Sequence, residues 1–383
     1  MSDKYDYWLH HLPGVGERTI RKLLAVFSKP EEIYERLISP GAGKAERQKE
    51  FEGILTGKQK EALAACTKSW SLEEEYEKLA EMGIQFLTFQ DLMYPQRLKE
   101  IPDPPFGLYV RGNLPKENVL SVAVIGAREC SEYGRFVGQE LGKTLGEKGV
   151  QVISGMARGI DGISQAAALD AGGISFGVLG CGVDICYPSQ NKRLYERLLT
   201  QGGILSPYIP GTMPKAPLFP PRNRIVSGLA DALIVVEARQ KSGTLITVDM
   251  ALEQGREVYV VPGRLTDRLS DGCNRLIKQG AGILLSPEDF LTEMSDNFPD
   301  KFVLCSENSS GKTNYEPFSM SKEERIIYDS LDLTPKAVNQ ICIDSQTKLS
   351  YLQVQQILIR FCLIGAAKQP VPGFYAAVHP PQK

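Results

Sequence analysis

Short apolar runs rich in β-branched residues alternate with helical segments between residues 104 and 295. Five runs are predicted strands: Val119–Ile125, Val150–Ser154, Ile174–Leu179, Ala232–Val236 and Glu257–Val261. The segments between them are predicted helices: Tyr133–Glu147, Ile160–Ala171, Gln190–Thr200 and Thr244–Gln254. Near-continuous apolar strands separated by helices indicate a parallel sheet covered on both faces. The pattern predicts an α/β fold with a Rossmann-like, doubly wound, mostly parallel sheet.

Helical periodicity dominates the first 85 residues. The glycine turn Leu12–Gly16 precedes a helix with Ile20, Leu23 and Phe27 on one face. This pattern predicts a small helical domain of the SAM or helix-hairpin-helix type. Two glycines before a helix form a backbone N–H nest that either holds a DNA phosphate or serves only in packing. Both interpretations remain open from the sequence.

A third pattern follows a polar stretch at residues 299–320, which is predicted to be a linker. Three short helices are predicted over Ser321–Leu331, Pro335–Ile343 and Leu349–Phe361, and a β-turn-β over Leu363–Val378. This order predicts a winged helix, for which DNA and protein partners are equally expected. The predicted domains are therefore 1–85 (helical), 86–298 (extended Rossmann-like) and 321–383 (winged helix).

The histidine distribution excludes several kinds of chemistry. The 383 residues contain three histidines, His10, His11 and His379, so the predicted sheet domain has none. A Ser-His-Asp triad, a histidine general base or a histidine-ligated metal in that domain is thereby excluded. The triplets Gly142–Thr144 and Gly180–Gly182 lack the further glycines of ATP and dinucleotide sites. We expect no catalytic residue, no metal and no cofactor.

Net charge and hydropathy point to a cytoplasmic protein without a strong overall field. The formal net charge is −2, so any polyanion site must be a local patch. No apolar run approaches the ~20 residues of a membrane helix, and the amino terminus lacks a signal-peptide pattern. The eight cysteines form no C-x-x-C pair, which indicates reduced thiols. We expect a cytoplasmic location and no membrane partner.

The loops after the predicted strands pair glycines with basic or hydroxyl residues. Ligands of open parallel sheets bind beyond the carboxyl ends of the strands, where helix N-termini attract anions. A basic rim is predicted there, comprising Arg128, Lys192, Arg222, Arg224 and Lys241. The loop at Ser154 and Gly155 is expected beside it, and Tyr195 is expected to stack on a base. A rim without acid–base groups favours a bound sugar–phosphate backbone.

An alternative interpretation assigns these basic residues a structural role. In it, the arginines hold the loops together by pairing with nearby acidic residues: Asp161, Asp184, Glu237 and Asp249. The sequence leaves both interpretations possible for any single arginine.

Six ordered motifs carry a family resemblance. They are GAR-x-x-S-x-YG, SGMARGID, YP-x-x-NKRL, FPPRNRIVSGL, VVEA-x-x-x-SGTLIT and D-G-x-N-x-L-I-x-x-GA, spread over roughly 190 residues. Together they resemble the DNA-processing protein A family, also called DprA or Smf. The resemblance implies a non-enzymatic, dimeric protein that binds single-stranded DNA and loads RecA recombinase during natural transformation. It also implies that Arg128 and Lys192 contact DNA.

The chain departs from the family pattern at three places, and two other functions remain as alternatives. Ala127, the pair Ser164 and Gln165, and Pro207 replace the usual residues, which leaves the basic contacts intact. The first alternative is a phosphoribohydrolase of the lysine-decarboxylase-like group, whose signature carboxylate is replaced here by Thr247. The second is a protein-binding adaptor that binds RecA and whose basic rim is structural.

Overall fold

The computed structural model describes residues 3–38, 50–61, 71–301 and 320–378. Most of the predicted linker, together with His379, lies outside these residues. The chain divides into one compact unit of residues 1–129 and 140–304 and another of residues 130–139 and 305–383. None of the described helices combines the length and apolar character that crossing a bilayer requires.

Four described helices precede the sheet: α1 (Lys4–His11), α2 (Glu17–Val26), α3 (Pro30–Ile38) and α4 (Leu72–Glu81). Helix α1 begins with a capping box in which the Asp3 carboxylate accepts from the Tyr5 and Asp6 backbone N–H groups. Trp8, Ile20 and Ile33 belong to one apolar cluster and are at most 1% exposed. The same apolar cluster includes residues of the sheet, so the helical front packs directly on the sheet within the first unit.

A nine-stranded sheet forms the centre of the first unit, in the order β1-β2-β6-β5-β4-β3-β7-β8-β9. Its strands are β1 (Gln85–Thr88), β2 (Gly107–Gly112), β3 (Ser121–Ile125), β4 (Gln151–Ser154), β5 (Ser175–Val178), β6 (Gly202–Ser206), β7 (Ala232–Val235), β8 (Glu257–Val260) and β9 (Gly282–Ile283). Pairing is parallel from β6 to β9, while β1, β2 and β6 pair antiparallel. The predicted doubly wound, mostly parallel sheet is confirmed.

The sequence pattern missed four strands of this sheet for identifiable reasons. Strand β6 begins with Gly202 and Gly203, and glycine has a low strand propensity, so the pattern did not indicate a strand. Glycine is needed at both positions because a Cβ on either would overlap a neighbouring backbone carbonyl. Strand β9 has two residues, too few for a periodic signal. Strands β1 and β2 add an antiparallel edge upstream of the predicted β/α repeat.

The helices that connect and flank the strands are α5 (Gln96–Lys99), α6 (Glu132–Glu147), α7 (Ile160–Asp170), α8 (Lys192–Thr200), α9 (Phe219–Gly228), α10 (Gly243–Glu253), α11 (Asp271–Lys278) and α12 (Pro287–Asn297). Helix α9 is absent from the predicted helices, although Arg222 and Arg224 within it belong to the predicted basic rim. It starts at Phe219 with two prolines in its first turn, where a missing N–H costs no hydrogen bond.

The amino ends of β3 and β7 are joined by a buried polar network. Arg97 donates from Nη1 to the Ser121 hydroxyl at 2.9 Å and from Nη2 to the carbonyls of Glu117 and Val119 at 2.9 and 2.8 Å. Its Nη2 also lies 3.1 Å from the Asp231 carboxylate. Because buried polar groups need partners, this network is a structural clamp at the amino edge of the sheet.

The carboxyl-terminal residues 320–378 contain three helices and a small sheet. The helices are α13 (Lys322–Asp329), α14 (Val338–Ser345) and α15 (Tyr351–Leu363). The strands β10 (Lys336–Ala337), β11 (Ala367–Val371) and β12 (Phe374–Ala377) pair antiparallel in the order β10-β12-β11. Ile341, Leu358 and Phe361 lie at the centre of their common core.

Candidate nucleic-acid interface

A cavity of about 640 Å³ opens at the carboxyl edge of the sheet. The chain runs outward from β3 through β4, β5 and β6 and then returns to place β7 on the other side of β3. This reversal is the topological switch point, where ligands of open α/β sheets bind. The loops after β3, β4 and β7 and the start of α9 supply most of the lining residues.

Two glycines allow these loops to approach one another closely. Gly159 has φ +74°, and a Cβ there would overlap the Ala127 carbonyl oxygen in the loop after β3. A Cβ on Gly155 would overlap Arg222 Nη1 and would lie 2.8 Å from Asp161 Oδ2. The two positions thus need glycine for the loops after β3 and β4 and the start of α9 to meet.

Arg222 lies in the cavity wall with only 5% exposure, so it is not the exposed rim residue that the sequence predicted. Within the described residues its guanidinium donates no hydrogen bond, and its Nε has no partner. Burial lowers the pKa of Arg222, and the negative charge of Asp161 opposes this effect. Burial likewise raises the pKa of Asp161, while Arg222 lowers it. The predicted structural pairing with Asp161 is therefore electrostatic and leaves the Arg222 donors unused.

Arg128 is exposed in the loop after β3 and borders the same cavity. Its guanidinium carbon lies 5.8 Å from the centre of the Phe219 ring, and that of Arg222 lies 5.9 Å from it. Cation–π contacts of this kind orient a guanidinium without consuming its N–H donors. The Phe219 ring thus positions two arginines whose donors can reach an anion in the cavity.

The first turn of α10 also faces the cavity. Ser242, Gly243 and Thr244 line it, and helix N-termini attract anions through their free N–H groups. The Ser242 hydroxyl oxygen is buried and has no hydrogen-bond partner in the described part of the chain. Ser242 therefore adds an unused hydroxyl donor to the cavity that Arg222 also lines.

Lys192 and Lys241 are exposed and flank the cavity without lining it. Lys192 has a 77% exposed side chain and lies 3.9 Å from Glu196, a distance at which an exposed pair contributes little. Its neighbour Asn191 donates from Nδ2 to the Met156 and Ala157 carbonyls at 2.9 and 3.1 Å. These bonds hold the start of α8 against the loop after β4.

The structure contradicts the prediction that Tyr195 stacks on a base. Tyr195 is 7% exposed, its hydroxyl donates to the Val183 carbonyl at 2.6 Å, and it accepts from Arg111 at 2.9 Å. The exposed aromatic ring of the cavity is instead Tyr187, which is 43% exposed and lies 5.6 Å from Phe219. The sequence signal for Tyr187 was its position directly after the loop of β5.

Two further residues of the predicted site have side chains that are engaged elsewhere. The Ser154 hydroxyl is fully buried and donates to the Val124 carbonyl at 2.7 Å, although the adjacent Gly155 does line the cavity. Arg224 binds Glu17 at 2.6 Å and lies 3.7 Å from Asp103, next to a separate cavity of about 580 Å³. Arg224 thus joins α9 to the helical front, as the structural interpretation of the arginines allows.

The cavity offers hydrogen-bond donors, and two carboxylates, Glu129 and Asp161, also line it. Among its lining residues there is no histidine or lysine, and Asp161 is held by the Gly155 N–H at 3.1 Å. Within the described ranges, no three His, Cys, Asp or Glu residues come together as a metal site. The arrangement suits the binding of an anion with an aromatic or apolar part.

Comparisons with known proteins agree with this chemistry. The family model described as "DNA recombination-mediator protein A" matches residues 85–295. DNA processing protein DprA of Streptococcus pneumoniae is 41% identical over 222 residues, which cover 58% of this chain and 77% of that protein. DprA of Bacillus subtilis is 37% identical over 254 residues, covering 63% and 84%.

Two solved structures are similar as well. The S. pneumoniae DprA structure has a TM-score of 0.63 at 33% identity and covers 76% of this chain and 98% of that one. The Helicobacter pylori DprA structure, described in terms of its single-stranded DNA binding mode, has a TM-score of 0.51 at 30% identity and covers 56% and 97%.

Proposed function

Because this chain belongs to the DNA recombination-mediator protein A family, we propose that it binds single-stranded DNA in the switch-point cavity and loads RecA recombinase onto it during natural transformation. The resemblance to the DprA/Smf family is confirmed, and with it a role in DNA processing and recombination. The family is DNA-binding and non-catalytic, which removes the phosphoribohydrolase alternative.

The observation that carries the DNA site is the set of unused donors in the cavity. Arg222 is buried with no hydrogen bond in the described residues, and the Ser242 hydroxyl beside it is also unpaired. Leaving buried polar groups unsatisfied is costly, so such groups call for a partner that binds there. A phosphate fits, since guanidinium groups and helix N-termini are its common ligands.

The shape of the site favours a single strand over a duplex. A single strand can turn one nucleotide into a cavity, whereas a duplex keeps its bases paired and stacked. In our proposal Arg128 and Arg222 hold the backbone phosphate, and the exposed Tyr187 ring contacts a base. Lys192 and Lys241 contact neighbouring phosphates, because both are exposed at the same edge.

Fluorescence anisotropy of labelled oligothymidylate tests this site. We expect wild type to bind the single strand more tightly than the matching duplex, with log K falling by ~0.7 per neutralised phosphate against log salt. Arg128→Ala/Lys192→Ala should lose most of this binding. The control Lys116→Gln/Lys148→Gln removes two exposed charges at the opposite edge and should bind normally. Unchanged binding by the first variant would contradict the proposed site.

The RecA partner is proposed from the family resemblance. Its test is the rate at which purified RecA assembles on oligothymidylate in the presence of this protein. We expect faster assembly with wild type and no acceleration with Arg128→Ala/Lys192→Ala. DNA binding without any acceleration by wild type would contradict the loading role.

A homodimer and a winged-helix tail complete the proposal. Strand β9 is the last in the sheet order. Its Ile283 is 45% exposed and the following Leu285 is 76% exposed, which gives an apolar edge that a second copy can cover. The three helices and antiparallel ribbon of residues 320–378 support a winged helix. Sedimentation of wild type and Leu285→Lys tests the dimer, which the charged variant should weaken. A wild type that sediments as a monomer would contradict the dimer.

A further inference from the structure

Basic side chains continue past the cavity on the side away from Lys192. Arg239 and Lys241 follow β7, and Arg268 lies in the loop after β8; we call these three residues the basic ledge. All three are exposed, and in the described part of the chain none of them forms an ion pair. Arg239 also lines the cavity, so the ledge is continuous with the proposed DNA site.

The two loops of the ledge are joined by their backbones. The Ala238 N–H donates to the Leu269 carbonyl at 2.8 Å, and the Gly272 N–H donates to the Ala238 carbonyl at 2.8 Å. Arg239 and Arg268 are the chain neighbours of the first bonded pair. Their backbones are therefore held side by side while their side chains extend into solvent.

The acidic residue within the second loop is occupied by the loop itself. The Asp267 carboxylate accepts from the Leu269 N–H at 3.0 Å and from the Ser270 hydroxyl at 3.3 Å. Asn274 fixes the start of the loop, since its amide donates to the Gly263 carbonyl at 3.0 Å and accepts from the Gly263 N–H at 3.3 Å. Within the described residues Asp267 forms no ion pair with Arg268, so the Arg268 guanidinium keeps its donors for a ligand.

We infer that the basic ledge extends the single-stranded DNA path beyond the cavity, so that the strand crosses the carboxyl ends of the strands from the β5 loop to the β8 loop. The intervening strand order is β5-β4-β3-β7-β8. Four spacings of about 4.8 Å span about 19 Å, which is room for several phosphates. Lys192 and Arg268 then bind opposite ends of the bound segment. This inference rests on the proposed function of the cavity.

The triple variant Arg239→Gln/Lys241→Gln/Arg268→Gln tests the ledge, with anisotropy measured over a salt series on short and long oligothymidylates. Losing three phosphate contacts should make the slope of log K against log salt less negative by ~2. The gain in affinity from the short to the long strand should shrink as well. If the triple variant kept both the wild-type salt slope and the wild-type gain in affinity with strand length, the inference would be overturned. The ledge would then face solvent or bind an acidic protein surface instead of DNA.

Two controls separate the possible failures. Lys116→Gln/Lys148→Gln/Lys278→Gln removes three exposed charges at the amino edge and should keep the wild-type slope, and Leu265→Ala alters the same loop without a charge change and should also keep it. Arg128→Ala/Lys192→Ala should instead lose binding of both strand lengths. Absence of wild-type binding would contradict the proposed function, whereas normal wild-type binding with an unaffected triple variant would contradict the ledge, including the phosphate contact of Lys241, and would leave the cavity site of Arg128 and Arg222 standing.

Discussion

Two buried arginines at opposite edges of one sheet differ in what their guanidinium groups contact. Arg97 is 3% exposed, and its Nη groups donate to the Ser121 hydroxyl and to backbone carbonyls. Its Nη2 also lies 3.1 Å from the Asp231 carboxylate. Arg222, 5% exposed, donates no hydrogen bond within the described residues. Burial alone therefore does not distinguish a structural arginine from a binding one. The unused donors do, and they lie at the edge where the switch point predicts a ligand.

The largest expected effect concerns the arginine whose donors are used. Arg97→Leu removes the arginine partner of the buried Asp231 carboxylate, which keeps Lys301 at 2.7 Å and the Ser121 backbone N–H at 3.0 Å. Removing one partner of a buried pair costs about 3–5 kcal/mol. We expect urea unfolding to show this loss in the free energy of unfolding, with DNA affinity unchanged under folded conditions. If Arg97→Leu were as stable as wild type, the structural role of Arg97 would be contradicted.

The next effect concerns the arginine whose donors are free. Asp161→Asn/Arg222→Leu removes both buried charges together, which is neutral or stabilising in many proteins. We expect the free energy of unfolding to be kept while oligothymidylate affinity falls by about 2–5 kcal/mol, the cost of removing one partner of a buried charge contact. Anisotropy and urea unfolding measure the two quantities. Full DNA affinity in this variant would contradict a binding role for Arg222.

A smaller effect concerns the stability of the helical front, which should depend on pH through His10. Burial lowers the pKa of His10 to about 4 from its ordinary 6.5, and its Nδ1 lies 3.0 Å from the Tyr109 hydroxyl. As pH falls, His10 takes up a proton near pH 6.5 in the unfolded chain but only near pH 4 in the folded chain. The free energy of unfolding therefore decreases between pH 6.5 and 4, by no more than about 3 kcal/mol.

Asp6 acts in the opposite direction and needs a control. Burial raises its pKa to about 6, so its protonation stabilises the folded state between pH 6 and 3.8. In an Asp6→Asn background, urea unfolding should show the loss from His10 together with that from His11, whose pKa burial also lowers. Adding His10→Gln should reduce this loss, and a pH slope equal to that of the Asp6→Asn protein would contradict the role of His10.

The smallest effect compares two tyrosines near the cavity. Tyr187→Ala removes an exposed ring and should weaken single-strand binding by about 1–3 kcal/mol, the range measured for base–aromatic stacking. Tyr195→Phe removes only a buried hydroxyl and should leave DNA affinity unchanged. The reverse order of effects would restore the original assignment of base stacking to Tyr195.

The fold was predictable where a buried strand consists of a short run of apolar residues. The five predicted strands correspond to β3, β4, β5, β7 and β8, each of which lies in a short, mostly apolar run between turn signals. Strand β6 was not predictable, because its Gly202 and Gly203 are required by close approach to neighbouring backbone. Tertiary contact, not local propensity, selects those residues.

The candidate site was predictable in position and less so in detail. Strand-end loops locate Arg128, Gly155 and Arg222 at one edge because parallel strands end together. The structural role of Arg224 depends on Glu17, 207 positions earlier in the chain, which no local pattern reveals. Tyr195 shares a helix face with Leu194 and Leu198, and all three are buried. Its helical spacing indicated burial more strongly than stacking.

The central claim is that the unused hydrogen-bond donors of the cavity bind single-stranded DNA. Thermal unfolding with and without oligothymidylate tests it directly, because a ligand that binds only the folded state raises the melting temperature. We predict an increase for wild type and for Arg97→Leu, whose fold is weakened and whose cavity is intact. We predict no increase for Asp161→Asn/Arg222→Leu. An equal increase in all three proteins would contradict the claim.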